Sequence, residues 1–148
     1  MRNVLKPMLT LAAGLAVALP ALAAELSPVG LWRTFDDKTG EAKSEVRIVD
    51  NAGQVSGKVV KLLRKEADPN AVCGRCTDDR KDQPIVGLTI LKDLKKTGEN
   101  EWSGGNILDP ENGKVYNAKM SLADDGKKLN VRGFRGISLL GRTQTWVR

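Results

Sequence analysis

From Gly30 to Arg148, apolar and polar residues alternate over short stretches, and each stretch is cut by a turn sequence. A period of two sends successive side chains to opposite faces, the mark of a strand with one face buried. The clearest case sets Tyr116, Ala118, Met120 and Leu122 against Asn117, Lys119 and Ser121, followed by Leu129 and Val131 against Asn130 and Arg132. Asp109-Pro110-Glu111-Asn112-Gly113 and Asp124-Asp125-Gly126 divide this last third with residues that tolerate tight or left-handed backbone.

Earlier in the chain, Gly30–Phe35 reads as a first strand closed by Asp36-Asp37-Lys38-Thr39-Gly40, and residues 42–49 as a second. Asn51-Ala52-Gly53 turns the chain into a third, over residues 54–63, where Val55, Gly57 and Val59 share a face. The periodicity then stops from residue 64 to 83, a long loop of the kind that needs a function or a staple. Residues 85–91 are expected to form the fourth strand, since Gly87 and the β-favouring Ile85, Val86, Thr89 and Ile90 outweigh a helix through Leu88, Ile90, Leu91 and Leu94. Residues 102–108, 114–122, 128–134 and 142–148 bring the count to eight.

The fold class is therefore all-β. Eight short strands joined mostly by hairpin turns must hide their edges, and an eight-stranded up-and-down barrel does so by closing on itself. Glycines inside strands, such as Gly57, Gly87, Gly104, Gly105 and Gly133, mark where a small barrel bends. A two-sheet β-sandwich fits the spacing almost as well. In the barrel, strand alternation sorts the connections. Asp36 and Asp37, the cysteine loop, Asp109 and Glu111, and the segment from Arg135 to Arg142 gather at one end, the candidate mouth.

The N-terminus changes the compartment. Arg2 and Lys6 precede an apolar run that includes Pro20 and ends in Ala21-Leu22-Ala23, the pattern of a signal peptide cut after Ala23 or Ala24. A membrane span needs about 20 apolar residues, and this run is short. Residues 1–24 are expected to be a cleaved signal peptide and residues 25–148 a single β-barrel domain, periplasmic or secreted and not membrane-spanning. Without Arg2 and Lys6 the formal net charge falls from +6 to +4, spread among acidic residues with few aromatics, so nucleic acid is not an expected partner.

Histidine is absent. That removes Ser-His-Asp and Cys-His catalysis and every histidine-containing zinc site. The three Gly-Lys pairs lack the upstream glycine of a phosphate-binding loop. Asp36, Asp37, Asp109 and Glu111 invite a glycosidase reading, but each lies in a turn sequence where a carboxylate bonds local backbone. Cys73 and Cys76 admit three readings: a structural disulfide, favoured by an oxidising compartment; a redox-active pair; or a metal site completed by Asp78 and Asp79. The disulfide is the expectation, with no catalytic residue, no metal and no cofactor.

The least expected stretch is Arg135-Gly136-Ile137-Ser138-Leu139-Leu140-Gly141-Arg142, three large apolar residues where a polar turn would serve. It either folds inward to cap the barrel, or lines a mouth or meets a partner with both arginines free for an anionic group. Arg135, Leu139, Leu140 and Arg142 are therefore the candidate ligand-binding residues.

Gly30-x-Trp32, the block from Trp102-Ser103-Gly104-Gly105 through Asp109-Pro110-Glu111-Asn112-Gly113-Lys114, and Gly141-Arg142-Thr143-Gln144-Thr145-Trp146-Val147-Arg148 resemble the domain of unknown function 2147 family of small exported bacterial proteins. The resemblance implies a lipocalin-like barrel and brings no established activity. Gly30-x-Trp32 is also similar to the lipocalin signature, in which a late arginine packs over the tryptophan. If the first strand pairs antiparallel with the last, Arg148 is that arginine, because Arg142 lies six residues earlier, roughly 20 Å away at about 3.3 Å per residue. The plainer alternative makes Trp32 an ordinary core aromatic and Arg148 a frayed end.

The expected function is a binding protein, not an enzyme, holding a small hydrophobic or amphiphilic ligand, anionic ones included, at the loop-rich end. The alternative is a cell-envelope interaction protein with a filled barrel and no small ligand.

Overall fold

The structure is a computed structural model that describes residues 11–20 and 25–148. The expected cleavage position at Ala23 or Ala24 lies outside the described residues. Eight antiparallel strands form a closed barrel in chain order: β1 (Gly30–Phe35), β2 (Ala42–Asn51), β3 (Gln54–Leu62), β4 (Thr89–Gly98), β5 (Glu101–Asp109), β6 (Lys114–Ala123), β7 (Lys128–Phe134) and β8 (Gly141–Val147). The architecture is the up-and-down barrel and not the sandwich. No helix among the described residues is long and apolar enough to cross a membrane.

Turn chemistry sets the hairpins. Ala52 and Gly53 both have positive φ between the paired Asn51 and Gln54, a two-residue turn whose twist matches its strands. Asn100 turns β4 into β5, and Asp124, Asp125 and Gly126 turn β6 into β7, all with positive φ. Inward positions then follow the two-residue period: Trp32 and Thr34 on β1, Ser44, Val46 and Ile48 on β2, and Ala118, Met120 and Leu122 on β6 are buried.

The fourth strand departs from expectation. It spans Thr89–Gly98 rather than residues 85–91, and residues 85–88 belong to the preceding loop. Leu91 and Leu94, three residues apart, are both fully buried. The extra residue is taken up around Asp93, whose φ is 59°, and Val55 and Gly57 of β3 pair with Leu94 and Leu91 across the irregularity. A β-bulge bends the strand and breaks the alternation that sequence reading relies on. The neighbouring strand accommodates the bend at Gly105, where any Cβ would strike the Lys92 carbonyl.

Candidate ligand cavity at the barrel mouth

The barrel is closed at one end. Trp32 is fully buried, and its indole Nε1 donates to the Pro28 carbonyl at 2.7 Å. The Arg148 guanidinium lies 4.3 Å from the Trp32 ring centroid. It also donates from Nε to Gly126 O at 2.7 Å, from Nη1 to Val29 O at 3.0 Å, and from Nη2 to Ser27 O at 3.0 Å. This one side chain ties together the approach to β1, the β6–β7 turn and the end of β8, where β1 and β8 share the single ladder pair Arg33 and Val147. Above it, Ile48, Leu94, Trp102, Met120 and Leu129 fill the interior with buried apolar volume.

The other half of the barrel holds a cavity of about 690 Å³. Val59, Ile90, Ile107, Leu108, Val131 and Phe134 form an apolar wall. β1, β2 and β8 add polar groups to the lining. There Thr34 Oγ1 and Ser44 Oγ are 2.7 Å apart, and Gln144 Oε1 accepts from Trp146 Nε1 at 3.1 Å. A hydroxyl pair shares one proton between its oxygens, so the second proton is available to a ligand. These two residues were not singled out from sequence, although both sit on the inward parity of their strands.

All four candidate residues stand around the opening, with different freedom. Arg142 Nε pairs with Asp37 Oδ2 at 2.9 Å. The Arg135 guanidinium lies 5.1 Å from the Tyr116 ring centroid and has no carboxylate partner among the described residues. Leu139 and Leu140 border the cavity yet are 82% and 69% exposed, so the segment does not fold inward as a cap.

A second set of charges ties the loops of the mouth to one another. Arg64, from the long loop, pairs with Asp36 and, at 2.9 Å, with Glu111, while Lys43 reaches Glu111 at 3.2 Å. Backbone N–H groups of Thr39 and Lys38 hold the Asp36 carboxyl below its usual range. Desolvation pushes Glu111 up, but Lys43 and Arg64 outweigh it and the net shift is downward. Both shifts favour the ionised form, the opposite of what a general acid requires. Asp109 Oδ1 accepts from the Glu111 backbone, as a turn residue does. Among the described residues, no group of three or more Cys, Asp or Glu side chains is placed to hold a metal ion.

Cys73 and Cys76 form a disulfide whose residues are buried, leaving Asp78 and Asp79 unrelated to any thiolate. The loop around it is built like a small hairpin, with Cys73 N donating to Gln83 O at 2.8 Å and Ile85 N to Ala71 O at 2.9 Å. Buried Arg80, not singled out from sequence, donates to both Asp78 carboxylate oxygens and, from Nη1, to Thr89 O at 2.8 Å. The loop rests on the β5–β6 turn so closely that a Cβ at Gly113 would overlap the Arg75 carbonyl.

The family described as an uncharacterized protein conserved in bacteria (DUF2147) matches residues 30–148, which take in every strand of the barrel. The chain belongs to this family. Among solved structures, this DUF2147 chain is similar to protein HP1028 from the human pathogen Helicobacter pylori, described as belonging to the lipocalin family. The TM-score is 0.72 and the identity 18%, over 83% of each chain. At that identity the likeness speaks for the fold alone. No curated protein matches the DUF2147 chain in sequence.

Proposed function

We propose that this is an exported binding protein, not an enzyme, that holds one small apolar or amphiphilic molecule in the open half of its barrel. The observation that carries the reading is the cavity of about 690 Å³, apolar on one wall and closed below by packed side chains. Ligand sites commonly measure about 300–1,000 Å³ and combine apolar lining with a few placed polar groups. A lipocalin-like barrel suits small-ligand binding in general, and the disulfide suits an oxidising compartment. An anionic head group would meet Arg135 rather than Arg142, whose charge Asp37 already neutralises.

The test is titration with N-phenyl-1-naphthylamine, an apolar fluorophore that brightens when buried, followed by displacement with decanoate and with decanol. Binding should saturate at one site. Val131→Phe, which puts bulk into the cavity, should weaken it at least about tenfold, and Arg135→Gln should weaken decanoate more than decanol. Leu139→Asp at the opening should weaken both. Absence of probe binding, or binding indifferent to Val131→Phe, would refute the proposal.

A further inference from the structure

The β7–β8 connection is longer and more apolar than the barrel needs. Phe134 and Gly141 are a ladder pair, so six residues bridge what two could. Ile137, Leu139 and Leu140 are 61%, 82% and 69% exposed, whereas the other exposed large apolar residues of the barrel are each less than half exposed. Hydrophobic packing does not shape this loop. Arg132 does, donating from Nε to Ser138 O at 2.8 Å and from Nη2 to Leu139 O at 3.4 Å, while its Nη1 bonds Thr143 Oγ1 at 2.8 Å. The carbonyls are gathered onto Arg132, on the outward parity of β7, and the apolar side chains are presented to solvent. Flanking them are Arg142, paired with Asp37, and Arg135, which has no carboxylate partner among the described residues.

We infer that this loop docks the barrel on an anionic membrane surface, inserting Ile137, Leu139 and Leu140 at the headgroup boundary with Arg135 against a lipid phosphate. Exposed apolar side chains beside an arginine that no carboxylate pairs among the described residues are complementary to such an interface, where apolar insertion and attraction to anionic lipid add together. The inference deepens the proposed function and rests on it, because Leu139 and Leu140 also border the cavity. The docked loop would open the cavity toward the source of a membrane amphiphile. Ile137 does not border the cavity, so docking can be perturbed without touching the pocket.

Sedimentation with phosphatidylglycerol vesicles, compared with phosphatidylcholine vesicles, tests the idea on the purified protein. The three native tryptophans are buried, so Leu139→Trp adds one exposed reporter whose emission should shift blue and be quenched by brominated phosphatidylglycerol. Binding should favour phosphatidylglycerol and fall with salt. It should drop roughly tenfold in Ile137→Glu and about fivefold in Arg135→Gln, near the effect of one basic residue at a charged surface. Naphthylamine binding should survive Ile137→Glu, and vesicle binding should survive Val131→Phe, so the two proposals fail separately. Equal sedimentation with both lipids, indifference to Ile137→Glu, or an unquenched reporter would overturn the inference. So would concentration-dependent dimerisation removed by Ile137→Glu without vesicle binding, which would make a second copy the occupant.

Discussion

Truncating Arg148 to alanine should cost this barrel more than truncating any other arginine near its openings. The side chain makes three charge-assisted hydrogen bonds to carbonyls at 2.7–3.0 Å and covers the Trp32 ring at 4.3 Å. Hydrogen bonds to charged groups contribute about 1.5–3 kcal/mol each when well buried, and a partly exposed cation–π contact about 0.5–1 kcal/mol. Arg148 is largely exposed, so low-end values apply, and the losses overlap because one rigid guanidinium makes them all. The net expectation for Arg148→Ala is about 3 kcal/mol. Arg142→Ala removes one exposed pair with Asp37, worth about 0–1 kcal/mol. Trp32→Ala should cost roughly 3–5 kcal/mol as a buried large-to-small change. Urea unfolding followed by far-ultraviolet circular dichroism is the assay, since fluorescence would be altered by the Trp32 variants themselves. A double-mutant cycle of Trp32→Phe with Arg148→Ala should show coupling of about 0.5–1.5 kcal/mol. Losses at Arg142 equal to those at Arg148, or coupling near zero, would mean that this arginine is a frayed end and that the barrel is closed by something else.

Cys73→Ser with Cys76→Ser should keep the barrel at a loss of about 1–2 kcal/mol, the entropy of a very short closed loop. Amide exchange should rise in residues 71–85, and alkylation under non-reducing conditions should find no free thiol in the parent protein. Gly113→Ala should destabilise by about 2–3 kcal/mol because a left-handed φ of 73° is compounded by overlap with the Arg75 carbonyl. Gly136→Ala, with φ 68° but open space, should cost only about 1 kcal/mol, and equal values would deny the loop contact. Side-chain hydrogen bonds from Arg80, with its backbone N–H, lower Asp78 from 3.8 to about 2. A carboxylate depressed in the folded state stabilises above its unfolded value and loses that contribution as pH falls from about 4 toward 2. Tm against pH should therefore fall more steeply in that window for the parent than for Asp78→Asn, and parallel profiles would show that the Arg80 staple does not depend on this charge.

Most of the strand layout is local information and was readable as such. β1 and β7 begin and end where their alternation does, because the turns beside them depend on a few residues with positive φ, such as Gly40 and Gly126. The sorting of loops to two ends followed from antiparallel order alone. It brought Arg148, and not Arg142, over Trp32. β4 resisted the same reading because Leu91 and Leu94 face inward across a bulge at Asp93, and a bulge is a relation to β3 and β5.

The chain by itself also placed the segment from Arg135 to Arg142 at the mouth but treated its two arginines as equivalent. What separates them is Asp37, far away in sequence, which pairs with Arg142 and leaves Arg135 over Tyr116. Sequence determined the all-β class and the strand count, because periodicity and turn residues act over short range, and closure into a barrel rather than a sandwich came from the tertiary structure. Only the tertiary structure decided that the barrel is half filled. Trp32, Trp102, Leu94 and Leu129 crowd toward one end, while Thr34, Ser44, Val59 and Gly133 leave space at the other. That difference depends on which side chains face one another across the interior, and strand register, bulges and closure together set those partners.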